Sequence, residues 1–363
     1  MQITVEVKIL PTSQEAAILN ETLKNYIETV NGIVAEFIDK DKPLKITSKN
    51  VSVDIPSALK AQAIRDAHSV FKKYKKELFK QSKKAEPKAV KVPVLKKHVA
   101  IWNNQNFSIG ENFVAFPLWI NGKVKKIAIK AIIPEKQKAL LQGKLGSLRI
   151  TKKQGKYIAQ IAVEVSSEST MGTHTMGVDL GLKVPAVAMT DTGKIQFFGN
   201  GRENKYKKRQ ARLKRKQLGN AKKIIALKKL NNKEQRWMKD KDHKVSRQIV
   251  NFAKDNKVGT IQLEALAGIR QTARTSRKNN HNLHSWSFYR LAQFIQYKAE
   301  LAGIKVVFVD PKYTSQTCPV CGTRNKANDR KYKCHCGFET HRDILGARNI
   351  ITAPVIGGNS LSA

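Results

Sequence analysis

The sequence predicts a multidomain protein of mixed α+β and α/β class: a small β-barrel or sandwich with a helical insert, then an α/β layer interrupted by a metal-binding segment. Three observations predict it. Apolar residues alternate with period two over residues 3–9 and again within 88–170, but recur at helical spacing over 12–85. From Met176 onward, strand-like apolar runs alternate with helical stretches, the pattern of an α/β layer. All 4 cysteines then fall between the last such strand and a closing helix.

The elements follow in order. A first strand covers 3–9. Thr12 and Glu15 stand at capping-box spacing, and Leu19, Leu23, Tyr26, Val30, Val34 and Phe37 line the helix behind them. A second helix begins after Pro56, with Leu59, Ala63, Ala67, Val70, Tyr74 and Leu78 on one face and lysines crowding its end. Short strands follow around Ile109, Phe113–Leu118, Lys125–Ile129, Ser147–Ile150 and Tyr157–Val163. Asn121-Gly122 and Gln154-Gly155 read as hairpin turns. The first strand is expected to pair with these, and Ser166–Thr170 is the expected linker. Strands then end at Asp179, Met189, Phe198, Glu264 and Val309. Residues 202–247 carry 19 Lys+Arg against four acids and are expected to form a helical hairpin with a cationic face. A helix over 287–302 leads to the last strand.

Charge narrows the partner. The chain has 363 residues, 68 Lys+Arg and 28 Asp+Glu, for a net charge of +40. Such an excess strains a compact state unless a polyanion neutralises it, and nucleic acid is the evident polyanion. A ribosomal-type protein or basic tail competes, but the charge runs through segments patterned to fold. No apolar run approaches the ~20 residues of a membrane span, and the alternating start is not a signal peptide. Cysteines at metal spacing imply a reducing compartment. The expected location is a prokaryotic cytoplasm, associated with the nucleoid.

Two constellations carry chemistry. Asp179 and Glu264 end apolar strands, and Asp343 opens the helix Ile344–Ile350. Carboxylates gathered at strand ends and a helix start suit paired Mg2+ ions, which prefer hard oxygen donors and need ~3.5–4 Å between them for phosphodiester hydrolysis. Cys318-x2-Cys321 and Cys334-x-Cys336 supply four thiolates, the number for structural Zn2+, with Gly322 and Gly337 placed for tight turns. His335 or His341 is an alternative fourth ligand in place of Cys336. A metal-stapled insert beside three acids in a cationic chain reads as a nuclease.

Together these segments resemble the TnpB (OrfB) family of insertion-sequence proteins, compact relatives of type V CRISPR effectors. The matching pieces are Gly177–Leu182, Gln262–Leu266, Tyr297–Gly303, Thr314–Gly322 and Arg342–Ile350; the half before them matches more loosely. The resemblance implies an RNA-guided DNA endonuclease that binds guide RNA and target double-stranded DNA and cuts beside a short flanking motif. It implies a wedge-like β-barrel (1–10 and 88–170) with a helical recognition insert (11–87). An RNase H-like, RuvC-type nuclease domain (171–313 and 340–363) follows, interrupted by a zinc-binding segment (314–339). The family's catalytic acids fall on Asp179, Glu264 and Asp343, which would hold two Mg2+; its zinc cysteines fall on Cys318, Cys321, Cys334 and Cys336. Residues 267–285 occupy the place of its active-site lid. The second cysteine pair is one residue shorter than usual, Gly346 stands where Asn is common, and no extended C-terminal tail is expected. A monomer is the default. Competing readings are a nuclease-silent guided repressor, an RNA-independent transposase and a CRISPR-associated effector of the same architecture.

Overall fold

The computed structural model describes residues 1–166, 172–266, 283–284 and 286–356. The expected linker beyond Ser166, and the lid stretch apart from Leu283 and His284, lie outside the described residues. The chain forms two compact units, Met1–Val165 and Ser166–Ala363.

In the first unit, β1 (Gln2–Ile9) is followed by α1 (Ser13–Asp39) and α2 (Ser57–Ser82). Six strands then come in order: β2 (Val99–Trp102), β3 (Ser108–Ile109), β4 (Phe113–Ile120), β5 (Lys123–Ile132), β6 (Lys144–Lys153) and β7 (Lys156–Glu164). A short helix, α3 (Glu135–Leu141), joins β5 to β6. The capping box forms as the sequence predicts: Thr12 N–H donates to Glu15 at 2.7 Å and Glu15 N–H to Thr12 Oγ1 at 3.3 Å. The two-residue hairpin turns at Asn121-Gly122 and Gln154-Gly155 have positive φ at both positions, which suits strand twist.

The sheet order is β2-β6-β7-β1-β5-β4-β3, antiparallel throughout, so β1 lies at the centre. Its ladder stays open at β2 and β3. The expected barrel is thus a curled sheet, and side chains bring β2 round to β4. Trp102 is fully buried, packs on Phe116 with ring centroids 4.9 Å apart, and donates its indole N–H to the Pro117 carbonyl at 3.1 Å. Both long helices share one apolar core with the sheet, including Leu23, Val30, Leu59, Trp102 and Ile161.

The second unit is a mixed sheet with helices. Its strands are β8 (His174–Asp179), β9 (Ala186–Thr190), β10 (Ile195–Phe198), β11 (Val258–Glu264) and β12 (Lys305–Val309), ordered β10-β9-β8-β11-β12. The β10-β9-β8 pairs are antiparallel, whereas β8-β11 and β11-β12 are parallel. The basic hairpin expected over 202–247 is instead three helices, α4 (Gly201–Asn220), α5 (Ile224–Leu230) and α6 (Lys233–Asp255). Positive φ at Lys222 and Asn231 breaks the chain on either side of α5. After β11 come α7 (Phe288–Leu301), a small hairpin of β13 (Lys331–Lys333) and β14 (Glu339–His341), and α8 (Arg342–Thr352).

Strand alternation sorts the two faces. Met176, Val178, Ile261 and Leu263 pack in one core with Ile249 of α6 and Ile295 of α7. Gly177 faces α8 instead: a Cβ there would meet the Ala347 carbonyl at 2.1 Å, so only glycine lets the helix approach. Asp179 and Glu264, of the same parity as Gly177 and Gln262, face that helix too. Between α6 and α7, His243 stacks on Phe294 at 3.9 Å, and buried Lys298 donates to the His243 carbonyl and to Ser246 Oγ, each at 2.6 Å.

Candidate carboxylate and metal sites

The parallel register pairs Gln262 with Gly177 and Leu263 with Val178, so Asp179 and Glu264 finish neighbouring strands side by side. The Asp179 carboxylate meets α8 at its first turns. Asp343 is the second residue of α8; its N–H donates to Nδ1 of the cap residue His341 at 3.3 Å. A carboxylate there also meets the positive end of the helix dipole. Gly346, one turn on, leaves the space Asp179 needs: a Cβ at Gly346 would stand 2.9 Å from Asp179 Oδ2.

The electrostatics report the crowding. Burial, then the charges of Glu264 and Asp343, push the Asp179 carboxyl well above the ordinary carboxylate range. Burial also raises Glu264, against a hydrogen bond from Thr314, whose hydroxyl donates to Glu264 Oε1 at 2.5 Å. Asp343 is buried and accepts both its close contacts from one guanidinium: Arg330 Nη1 is 2.6 Å from Oδ2 and nearer still to Oδ1. The three acids thus share one face and feel one another, while Arg330 and Thr314 each hold one of them. As they stand they are not drawn into a tight ligand cluster; among the described residues, the cysteines alone are.

The donor set fits hard divalent cations. It is all carboxylate oxygen, and its mutual repulsion is what a cation would relieve.

The cysteine cluster is tighter. The Sγ atoms of Cys318, Cys321, Cys334 and Cys336 lie within 4.8 Å of one another, with Cys318–Cys336 at 3.6 Å and Cys321–Cys334 at 3.4 Å. Tetrahedral Zn–S bonds of 2.3 Å would set sulfurs about 3.8 Å apart, so these thiols fit that ion. Cys336 completes the set, and His341 caps α8 instead. The side chain and backbone of Thr323 bring the Cys321 thiol down to about 6, toward the thiolate a metal takes. Gly322 and Gly337 turn at φ 72 and 89 as expected.

Sequence reasoning missed three supporting residues. Arg330 lies in a run of basic residues that sequence does not tell apart, yet it pairs with Asp343. Thr314 and Asn349 lay inside matching segments without a role. Asn349 donates to the carbonyls of Thr314 and Thr317, both at 2.7 Å, and so ties α8 to the start of the cysteine loop. A buried polar residue on the inner face of a short helix was the available signal.

Comparison with known proteins places this arrangement. Residues 159–270 match the family described as "Probable transposase" (OrfB_IS605), and residues 288–350 match "Cas12f1-like, TNB domain". A TnpB-like protein of Methanocaldococcus jannaschii is 34% identical over 127 residues, 34% of this chain and 45% of that one. Over these segments the chain is similar to TnpB (OrfB)-like proteins. It is also similar to the CRISPR-associated endodeoxyribonuclease Cas12f1 of Sulfoacidibacillus thermotolerans. That match is 27% identical over 344 residues and covers 86% of this chain and 78% of the relative. The structure of a Cas12f1–sgRNA–target DNA complex superposes with a TM-score of 0.67 at 16% identity, covering 95% of this chain and 84% of that one. At that identity the likeness is one of fold.

Proposed function

We propose that this protein is an RNA-guided DNA endonuclease that cleaves target DNA next to a short flanking motif. One observation carries the reading: Asp179, Glu264 and Asp343, 85 and 79 positions apart in sequence, share one face of the second unit, and the charges of the latter two bear on Asp179. The relatives' names, an endodeoxyribonuclease among them, and the net charge of +40 support it.

In this reading the second unit is an RNase H-like, RuvC-type nuclease with a zinc-binding insert. The curled sheet of the first unit is the wedge-like barrel, and α1 and α2 are the recognition insert. Asp179, Glu264 and Asp343 hold two Mg2+. Bound there, the ions would supply an activated water and stabilise the leaving oxygen. Thr314 orients Glu264 through its 2.5 Å hydrogen bond, and Arg330 aims Asp343 through its guanidinium contacts. Gly346 leaves the Asp179 carboxylate its room. The four cysteines hold Zn2+ in a structural role, since four protein ligands leave no open position. Guide RNA would read sequence by pairing, while basic surfaces hold phosphate backbones.

The test is plasmid cleavage with Mg2+ and the co-purifying RNA, wild type against Asp179→Ala. Loss of cutting in the variant is expected; equal cutting by both would remove Asp179 from the chemistry. RNase treatment is expected to abolish site selection, and retained selection would favour the transposase reading. A CRISPR-associated effector is the second reading, favoured by the long Cas12f1 match. A repeat array beside the gene would decide for it. A nuclease-silent binder is disfavoured by the intact trio.

A further inference from the structure

We propose that the ring of Tyr313, braced by Arg324, is a stacking platform for an unpaired nucleobase beside the carboxylate pocket. The proposal rests on the nuclease reading for its purpose, though not for its test.

Tyr313 is held at φ 62, in the left-handed region where a bulky side chain is a rare and strained choice. Burial does not offset that strain, because the residue is 45% exposed. The turn needs only the backbone: the Tyr313 carbonyl accepts the N–H groups of Gln316 at 2.9 Å and Thr317 at 3.0 Å. Asn or Gly would make the same turn at lower cost. Strain kept at an exposed aromatic points to use rather than to packing.

The surroundings say what use. The Arg324 guanidinium lies 3.8 Å from the ring centroid and braces it by a cation–π contact. The neighbouring residue is Thr314, which holds Glu264. The ring is thus anchored one residue from the group that orients a proposed metal ligand. A flat aromatic face with a guanidinium behind it and Lys312 beside it is the chemistry that holds single strands: bases stack on the ring, and cations meet the phosphates. Duplex DNA, its bases already stacked, offers no such partner. Tyr313 would therefore position the strand being cut without touching the reacting phosphate.

The test uses the full chain with its co-purifying RNA, without added Mg2+, and a single-stranded oligodeoxynucleotide carrying 2-aminopurine. Affinity and 2-aminopurine quenching are measured for wild type, Tyr313→Phe and Tyr313→Asn. Asn suits the backbone, so the variant should fold; its melting temperature and zinc content are measured alongside. Tyr313→Asn is expected to lose quenching and weaken single-strand binding roughly 5- to 150-fold, with duplex binding unchanged, while Tyr313→Phe keeps both signals. Wild-type quenching and affinity in Tyr313→Asn would overturn the platform, as would an equal loss on duplex DNA. The two proposals fail separately: a protein that quenches normally but never cuts would end the nuclease reading alone.

Discussion

Gly346 sits where an added methyl group would press on Asp179 Oδ2 at 2.9 Å. Alanine is the better helix former by about 1 kcal/mol, so propensity alone favours the substitution. Sterics oppose it, because either Asp179 or α8 must shift. Gly346→Ala is therefore expected to cut the cleavage rate tenfold or more, with the thermal midpoint nearly unchanged; an undiminished rate would show that the carboxylate tolerates displacement. The sequence carried the three acids plainly, since each closes or opens an apolar run. It did not carry their keepers. Arg330 lies among Arg324, Lys326, Lys331 and Lys333, and composition cannot tell the cation that turns inward from those that stay out. Only the fold separates them: Lys331 and Lys333 meet Glu339 on their own hairpin, while Arg330 reaches Asp343.

Elements were legible where periodicity was long and obscure where it was short. The 27 residues of α1 and the strand of eight at β1 show their period outright. By contrast α3, with seven residues, and β2, with four, are too short to establish one, and both went unread. Yet β2 carries Trp102, which draws the curled sheet together. Trp102→Phe keeps the ring but leaves the Pro117 carbonyl without its donor, and a loss of about 1–3 kcal/mol in chemical denaturation is expected; no loss would mean that shape alone closes the sheet. The α6–α7 contact makes a pH prediction. Burial first, and the Lys298 charge second, hold His243 down at about 4. A lowered folded value means that protons bind the unfolded chain first as pH falls. The stabilisation is therefore present above about 6.5, the unfolded value, and is lost progressively toward about 4. The melting temperature is expected to drop more steeply between those limits in wild type than in His243→Phe, and parallel curves would refute the assignment.

For the whole molecule, the cysteine cluster and the carboxylates are joined without slack. β14 ends at His341 and α8 begins at Arg342, while Asn349 fastens that helix back to the loop that enters the cluster. Cys336→Ser or strong chelation is thus expected to remove bound zinc and cleavage together, with a lowered melting temperature. Zinc-free protein cutting at the normal rate would uncouple the two sites. Composition points to a polyanion partner from the start, because a net charge of +40 is a property of the whole chain. It could not announce that the first 165 residues share one compact unit, since the core joining helices to sheet is made of contacts far apart in sequence. The chain order of the three acids has a consequence for synthesis. Strands ending in Asp179 and Glu264 leave the ribosome well before residue 343. A nascent or prematurely terminated chain carries two of the three, so the full carboxylate set exists only after the closing helix has emerged.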